Sequence, residues 1–534
     1  MIASPPPRFN PLKIALILVL MSGNGAFAQS GVDTLPDMGS SAANLITPAD
    51  EARYGEMVMR ELRGRELLID DPLIDGWLQG LGFRIAASSD EPDHGYTFFM
   101  MRDRRINAFA TLGGLVGMNA GLVLESERED EVAGVMAHEV AHVTQAHVLR
   151  SAEKSQQNQL PIMLAMLGAI AAASQSESSS SGNAIGAAVM SAQALMAQMQ
   201  INYTRSNESE ADRIGIETLA RAGYDPLGIA DFFGRLQRAS RGNQGGWQAP
   251  EYLRSHPVTT TRIAEARDRA VLLANRPPIG AFIRRDEGHL LLPIGLEPER
   301  GDAPLAAEYV WARERLRVIS APTARDAVAE YAGLTGAGSR PEVRYGYALA
   351  LIRNGQAALA ARELDALLLQ LPKHLWVRLA AAEAAHKAGR PADATQRFEA
   401  LLAEYPQHRA TTLSYAEALI ERGTQTSGRR AQAALRPLLA GGSQDLLLQQ
   451  RFGRASELGG DANRASESYA EASFLSGRAE DALKQLDLLK QRDDVDYVQR
   501  ARVEARMAEM MPVVLEMRRI GLKPEDEGRR RDES

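Results

Sequence analysis

The chain contains no cysteine, which excludes both a disulfide framework and a lipid-bearing cysteine. It has no basic excess: 61 Lys and Arg stand against 68 Asp and Glu, for a net charge of −7. With no basic stripe either, nucleic-acid binding has no support. It also lacks any apolar run of about 18 residues, the length a membrane-crossing helix needs. The strongest apolar stretch near the N-terminus, Ile14 to Met21, has eight residues and cannot cross about 30 Å of hydrocarbon as a helix.

What is present is an ordinary globular composition, 24% charged and 45% hydrophobic over 534 residues, long enough for two or three domains. Arg8 and Lys13 precede the short apolar run, and Ala26-Phe27-Ala28 follows it. That order predicts a secretory leader over 1–28, cut after Ala28. Export without disulfides suits a bacterial periplasm, with the mature protein soluble or peripheral to a membrane.

The densest signal is His138-Glu139-Val140-Ala141-His142. Histidines at i and i+4 share one helix face and can reach one metal ion, while the glutamate between them can take a proton from the attacking water without being a ligand. The pentapeptide alone also arises by chance, so its context matters. Ser126 with Glu129 predicts a capping box, followed by an acidic first turn. Val132, Val135, Met136, Val140 and Val143 form an apolar stripe that should carry the helix to about Arg150. On such a helix His147 lies about half a turn away from His138 and reads as a surface residue. His94, His289, His374, His386 and His408 show no ligand spacing and read as surface or turn residues.

Residues 29–48 are polar and read as a flexible segment, 49–280 hold the metal motif, 281–304 form a linker rich in Pro and Gly between Gly288 and Pro304, 305–520 are Ala- and Leu-rich helices, and 521–534 a charged tail. The helical part repeats: Gly355, Gly389 and Gly423 are 34 residues apart, as are Pro372 and Pro406. Tyr347-Ala348, Ala381-Ala382 and Tyr415-Ala416 each sit eight residues before one of those glycines, and Gly459 and Gly477 continue the series less regularly. This is the tetratricopeptide period, with a generic helical bundle as the alternative. Such arrays present a concave surface to peptides or proteins.

A catalytic zinc takes three protein ligands and keeps one position open, so a third ligand must come from elsewhere. Glu208 and Asp212, i and i+4 on a helix ending near Gly223, are candidates; by composition they equally suit an acidic first turn in solvent. Tyr96 to Met101 and Ile106 to Leu112 read as strands around the turn Asp103-Arg104-Arg105. The second, through Asn107, Ala108 and Phe109, is either an ordinary sheet strand or an edge that pairs with substrate backbone. Between the ligand helices, Leu160 to Ala173 and Ala184 to Met199 are apolar and flank a serine-rich loop. The pair, with Met163, Met166, Met190, Met196 and Met199, reads either as core helices or as an adaptable apolar hairpin, 160–199, touching a membrane or partner.

The ordered set Ile106-Asn107-Ala108-Phe109-Ala110, Gly113-Gly114, HExxH and Glu208-x-x-Ala211-Asp212 resembles the zinc metallopeptidase family that groups HtpX and the CAAX prenyl protease. Ser255-His256-Pro257 with Arg262, and the repeat tail, look like its soluble periplasmic branch. The resemblance implies an α+β zincin-like metallopeptidase domain, mostly helical with a small sheet, followed by an all-α tetratricopeptide-repeat solenoid. It implies one zinc held by His138, His142 and Glu208, with Glu139 as general base and Asp212 orienting a ligand imidazole by a hydrogen bond. His256 would block the open zinc position in a resting state, help hold the tetrahedral intermediate, or simply cap the turn at Pro257. Tyr203, His256 and Arg262 are candidates for stabilising the oxyanion. Misfolded or stalled outer-membrane proteins as substrates, and the outer-membrane assembly machinery as a partner of the repeats, are implied by the resemblance alone.

Overall fold

Helix α1 (Pro48–Gly64) begins where the Thr47 side chain accepts from Asp50 N and Pro48 occupies the first turn, where its missing N–H is not needed. Helix α2 (Pro72–Ala87) repeats the device, with Asp71 Oδ1 accepting from Leu73 N and Ile74 N. The structure is a computed structural model that describes residues 46–154, 204–242, 251–274, 308–336, 338–440 and 444–519. The leader 1–28, most of 29–48, the apolar pair in 160–199, Tyr203, the linker 281–304, His289 and the tail 521–534 lie outside those residues.

Three strands follow: β1 (Thr97–Met101), β2 (Ala108–Thr111) and β3 (Leu115–Asn119). Their order is β1-β3-β2, with β3 parallel to β1 and antiparallel to β2. The two expected strands are present in shortened form. The central one, β3, was not foreseen, because it is buried at all five positions and so shows no alternation to read. β2 is the sheet edge, and no other strand among the described residues pairs with its outer side.

After the short α3 (Ala120–Glu125), α4 (Glu129–Thr144) carries the HExxH motif. The expected capping box is absent. Ser126 Oγ donates back to Leu122 O, and Glu129 Oε1 instead accepts from the buried Trp77 Nε1 at 2.8 Å. The reach-back role belongs to Glu131, whose Oε2 accepts from Glu127 N. Helix α4 also stops short of Arg150: Gln145 is its C-cap, and Ala146 turns left-handed at φ 48°. A separate helix α5, residues 147–154, follows.

Helix α6, residues 204–221, lies against α4 at Gly215, where an added Cβ would come within 3.0 Å of the His138 backbone. A side chain there would force the two helices apart by a few tenths of an ångström, so glycine favours the approach that brings the acidic residues of α6 up to the histidines. Helices α7 (Gly228–Gly242), α8 (Tyr252–Ser255) and α9 (Thr260–Ala274) complete this part.

The C-terminal part is all helical and runs in antiparallel pairs. First helices begin at Pro341, Leu375 and Arg409 and second helices at Ala357, Pro391 and Gln425, both at 34-residue intervals. Gly355, Gly389 and Gly423, which join the members of each pair, have φ between 71° and 76°, the left-handed conformation that ends a helix without a Cβ penalty. Farther on it is Gly460, not Gly459, that turns left-handed. This C-terminal part does not stand apart from the N-terminal part. Tyr309 Oη donates to Ser126 O at 2.7 Å, Arg315 pairs with Asp71 at 2.7 Å, and the Arg60 guanidinium sits 4.5 Å from the Phe474 ring centroid. One apolar core runs from Ile69 through α4 into the repeats. Among the described residues no helix is long and apolar enough to cross a membrane.

Candidate metal centre

Helix α4 is buried on nearly every side, so His138 and Glu139 are almost fully enclosed and His142 is 12% exposed. Their i, i+4 spacing sets His138 Nε2 and His142 Nε2 only 3.1 Å apart. Glu208 of α6 reaches the same point, with Oε2 3.4 Å from His138 Nε2 and Oε1 3.4 Å from His142 Nε2. His256, just past α8, completes the cluster: its Nδ1 lies 3.3 Å from His138 Nε2 and 3.0 Å from Glu208 Oε1. Tyr252, one turn earlier, stacks on the His256 ring at 4.7 Å and holds it in place; the sequence reading did not single it out, although i and i+4 on a helix was a readable signal.

The donor set suits one zinc ion. His138, His142, Glu208 and His256 each offer a ligand atom, all within 4.8 Å of one another. Zinc bonds of about 2.0–2.1 Å in a tetrahedron require donor separations of about 3.3 Å, and the distances above cluster around that value. Glu139 stays outside the set. Its Oε1 is buried with no hydrogen-bond partner among the described residues and lies 3.6 Å from His256 Nε2.

A charged cradle surrounds the cluster. Asp212 Oδ1 lies 3.0 Å from His138 Nδ1, and Arg262 grips Asp212 through Nε and Nη2 at 2.7 Å each. Arg262 Nη1 is 2.9 Å from Glu208 Oε2 and also donates to Pro257 O. Arg262 is therefore bound up with carboxylates. Burial alone would raise Glu208, yet the three imidazoles hold it far below the usual carboxylate range. Burial works against a charge on His138 too, but Asp212 and Glu208 push it up to about 10. A cation entering the cluster takes the place of that proton.

His147 is not a surface residue. It is 3% exposed, its Nδ1 lies 2.8 Å from His142 Nδ1, and its Nε2 lies 3.1 Å from Glu210 Oε2. The left-handed Ala146 breaks the helical phase on which the surface reading depended. Burial, then the neighbouring His142, lowers its pKa to about 4. Of the strand residues, Ala108 is buried, while Asn107 and Phe109 are half-buried beside the metal helix. Tyr252 N donates to Ile106 O, tying the His256 turn to the start of β2.

Residues 72–270 match peptidase family M48. The chain is 40% identical over 264 residues to the putative beta-barrel assembly-enhancing protease of Vibrio cholerae, covering 49% of this chain and 53% of that protein. It is 30% identical over 344 residues to the beta-barrel assembly-enhancing protease of Yersinia pestis, covering 64% and 65%. It is also 30% identical over 247 residues to the mitochondrial metalloendopeptidase OMA1 of Schizosaccharomyces pombe, covering 46% and 68%. The chain belongs to peptidase family M48. It spans about half the length of the Vibrio relative and somewhat under two thirds of the Yersinia one.

Proposed function

We propose that this protein is a zinc-dependent endopeptidase of the bacterial periplasm that acts on misfolded or stalled outer-membrane proteins. The carrying observation is that His138, His142 and Glu208 converge from two helices while Glu139 Oε1 stays beside them with no hydrogen-bond partner among the described residues. Zinc, when bound, supplies a Lewis acid that polarises the scissile carbonyl and acidifies the attacking water. Glu139 removes the water proton and returns it to the leaving amine. Asp212, fixed by Arg262, holds His138 in the tautomer whose Nε2 lone pair faces the cluster. Arg262 acts through these carboxylates rather than on the oxyanion. The outer edge formed by Asn107 and the first residues of β2, Ala108 and Phe109, takes substrate as an added strand, a mode that tolerates many sequences because main-chain bonds supply the affinity. The helical repeats, read as tetratricopeptide repeats, recruit substrate or dock on the assembly machinery and raise its local concentration. The names of the bacterial relatives support the assembly setting.

The test is purified protein acting on an unfolded outer-membrane β-barrel. Cleavage that stops with chelation and in Glu139→Gln supports the reading; cleavage by Glu139→Gln at the wild-type rate rejects it.

One observation favours a second reading, a chaperone or adaptor with a normally latent protease site. Four protein donors already make a closed set, whereas catalytic zinc keeps one position open. In that state His256 silences the enzyme until it swings away. His256→Ala then raises proteolysis while keeping zinc; a fall in activity makes His256 part of the chemistry, and no change removes both roles. If cells carrying Glu139→Gln still assemble their outer membrane normally, the adaptor role dominates.

A further inference from the structure

The two imidazoles on α4 are held from behind in different ways. His138 Nδ1 faces the Asp212 carboxylate directly. His142 Nδ1 faces no carboxylate among the described residues; it meets His147 Nδ1 at 2.8 Å, with the rings nearly perpendicular at 72°. His147 Nε2 in turn meets Glu210 Oε2 at 3.1 Å, and Arg150 Nη1 holds the same oxygen at 3.1 Å. Hydrogen-bond complementarity assigns every proton in this chain. The Arg150 guanidinium donates to Glu210, as expected of an ionised carboxylate, which only accepts, so His147 Nε2 carries a hydrogen. In the neutral ring Nδ1 is then a lone pair, and it accepts from His142 Nδ1–H. His142 is left with its Nε2 lone pair aimed at His138, Glu208 and the cation site.

We propose that His147 and Glu210 form a positioning relay that fixes the ring orientation and tautomer of His142, as Asp212 does for His138. The proposal rests on the reading of His142 as a zinc ligand. The left-handed turn at Ala146 takes His147 out of the phase of α4 and sets it against His142. Glu208, Glu210 and Asp212 of one helix thus serve the site as ligand, relay anchor and direct anchor.

The experiment measures zinc affinity of the full-length protein by competition with a chelator of known affinity. His147→Leu removes the acceptor and should weaken zinc binding by about 10–100-fold. His147→Asn places an amide oxygen near the old Nδ1 position, and should restore affinity to within a few-fold of wild type. A role confined to packing would predict that Asn does as badly as Leu, and that result overturns the relay, as does unchanged affinity in His147→Leu. His142→Ala is the control: zinc kept there defeats the ligand reading itself, whereas zinc lost there but kept in His147→Leu defeats only the relay. Should His147→Leu not fold, ¹⁵N-histidine spectra of the wild type decide. The relay requires His147 with hydrogen on Nε2 and none on Nδ1, and the reverse tautomer rejects it.

Discussion

Arg262 closes on Asp212 with two hydrogen bonds of 2.7 Å, and the Oδ1 that takes one of them lies 3.0 Å from His138 Nδ1. The paired geometry leaves the carboxylate no freedom to rotate and holds its Oδ1 close against the imidazole. A buried guanidinium inside a metal site would ordinarily repel a cation. Here two carboxylates, Asp212 and Glu208, absorb its charge.

Asp212→Ala should therefore cost zinc affinity although Asp212 is not in the donor set. The expected loss is about 10–100-fold, read by chelator competition. An unchanged dissociation constant would mean that His138 keeps its orientation unaided.

Glu139→Gln removes the proton acceptor and leaves the three proposed ligands in place. Turnover of a peptide substrate should drop by about 10²–10⁴-fold, while metal analysis still finds about one zinc per chain. Loss of the metal together with activity would instead make Glu139 part of the binding set.

Arg315, on the helix Tyr309–Ser320 that precedes the repeat pairs, joins that helix to Asp71, the N-cap of α2, each side chain only 12% exposed. Arg315→Leu strands a mostly buried carboxylate, and urea unfolding should show a loss of about 3 kcal/mol or more. A loss under about 1 kcal/mol would show that solvent reaches and rescues Asp71.

Glu129 supplies a pH test away from the metal. Burial raises its carboxyl from 4.5 to about 7 despite the hydrogen bond from Trp77. The folded state thus binds the proton more tightly than the unfolded chain. Its contribution is fully present below about pH 4.5 and is lost as pH rises through about 7, on the order of 3 kcal/mol in total. Glu129→Gln should be more stable than wild type at pH 8 and lose that advantage near pH 4.5, measured in metal-free protein by chemical unfolding. A difference independent of pH would assign the change to packing.

The local features follow from residue spacing alone. Two histidines one turn apart must share a helix face, and glycines on a 34-residue period must end successive helices, because both follow from backbone geometry over a few residues. Glu208, Asp212 and His256 were legible as candidates through their motifs, but composition alone could not separate Glu208 from an acidic helix start in solvent. The remaining features come from long-range packing. Gly215 lets α6 press against α4 and so brings Glu208 to the histidines. A left-handed Ala146, with neither Gly nor Asn to announce it, redirects the chain and turns His147 inward. β3 is covered on both faces and hides its strand period. The repeats pack onto the metal-bearing part and share its core. Each of these depends on which distant surface meets which, and a linear pattern encodes that meeting only through the whole chain at once.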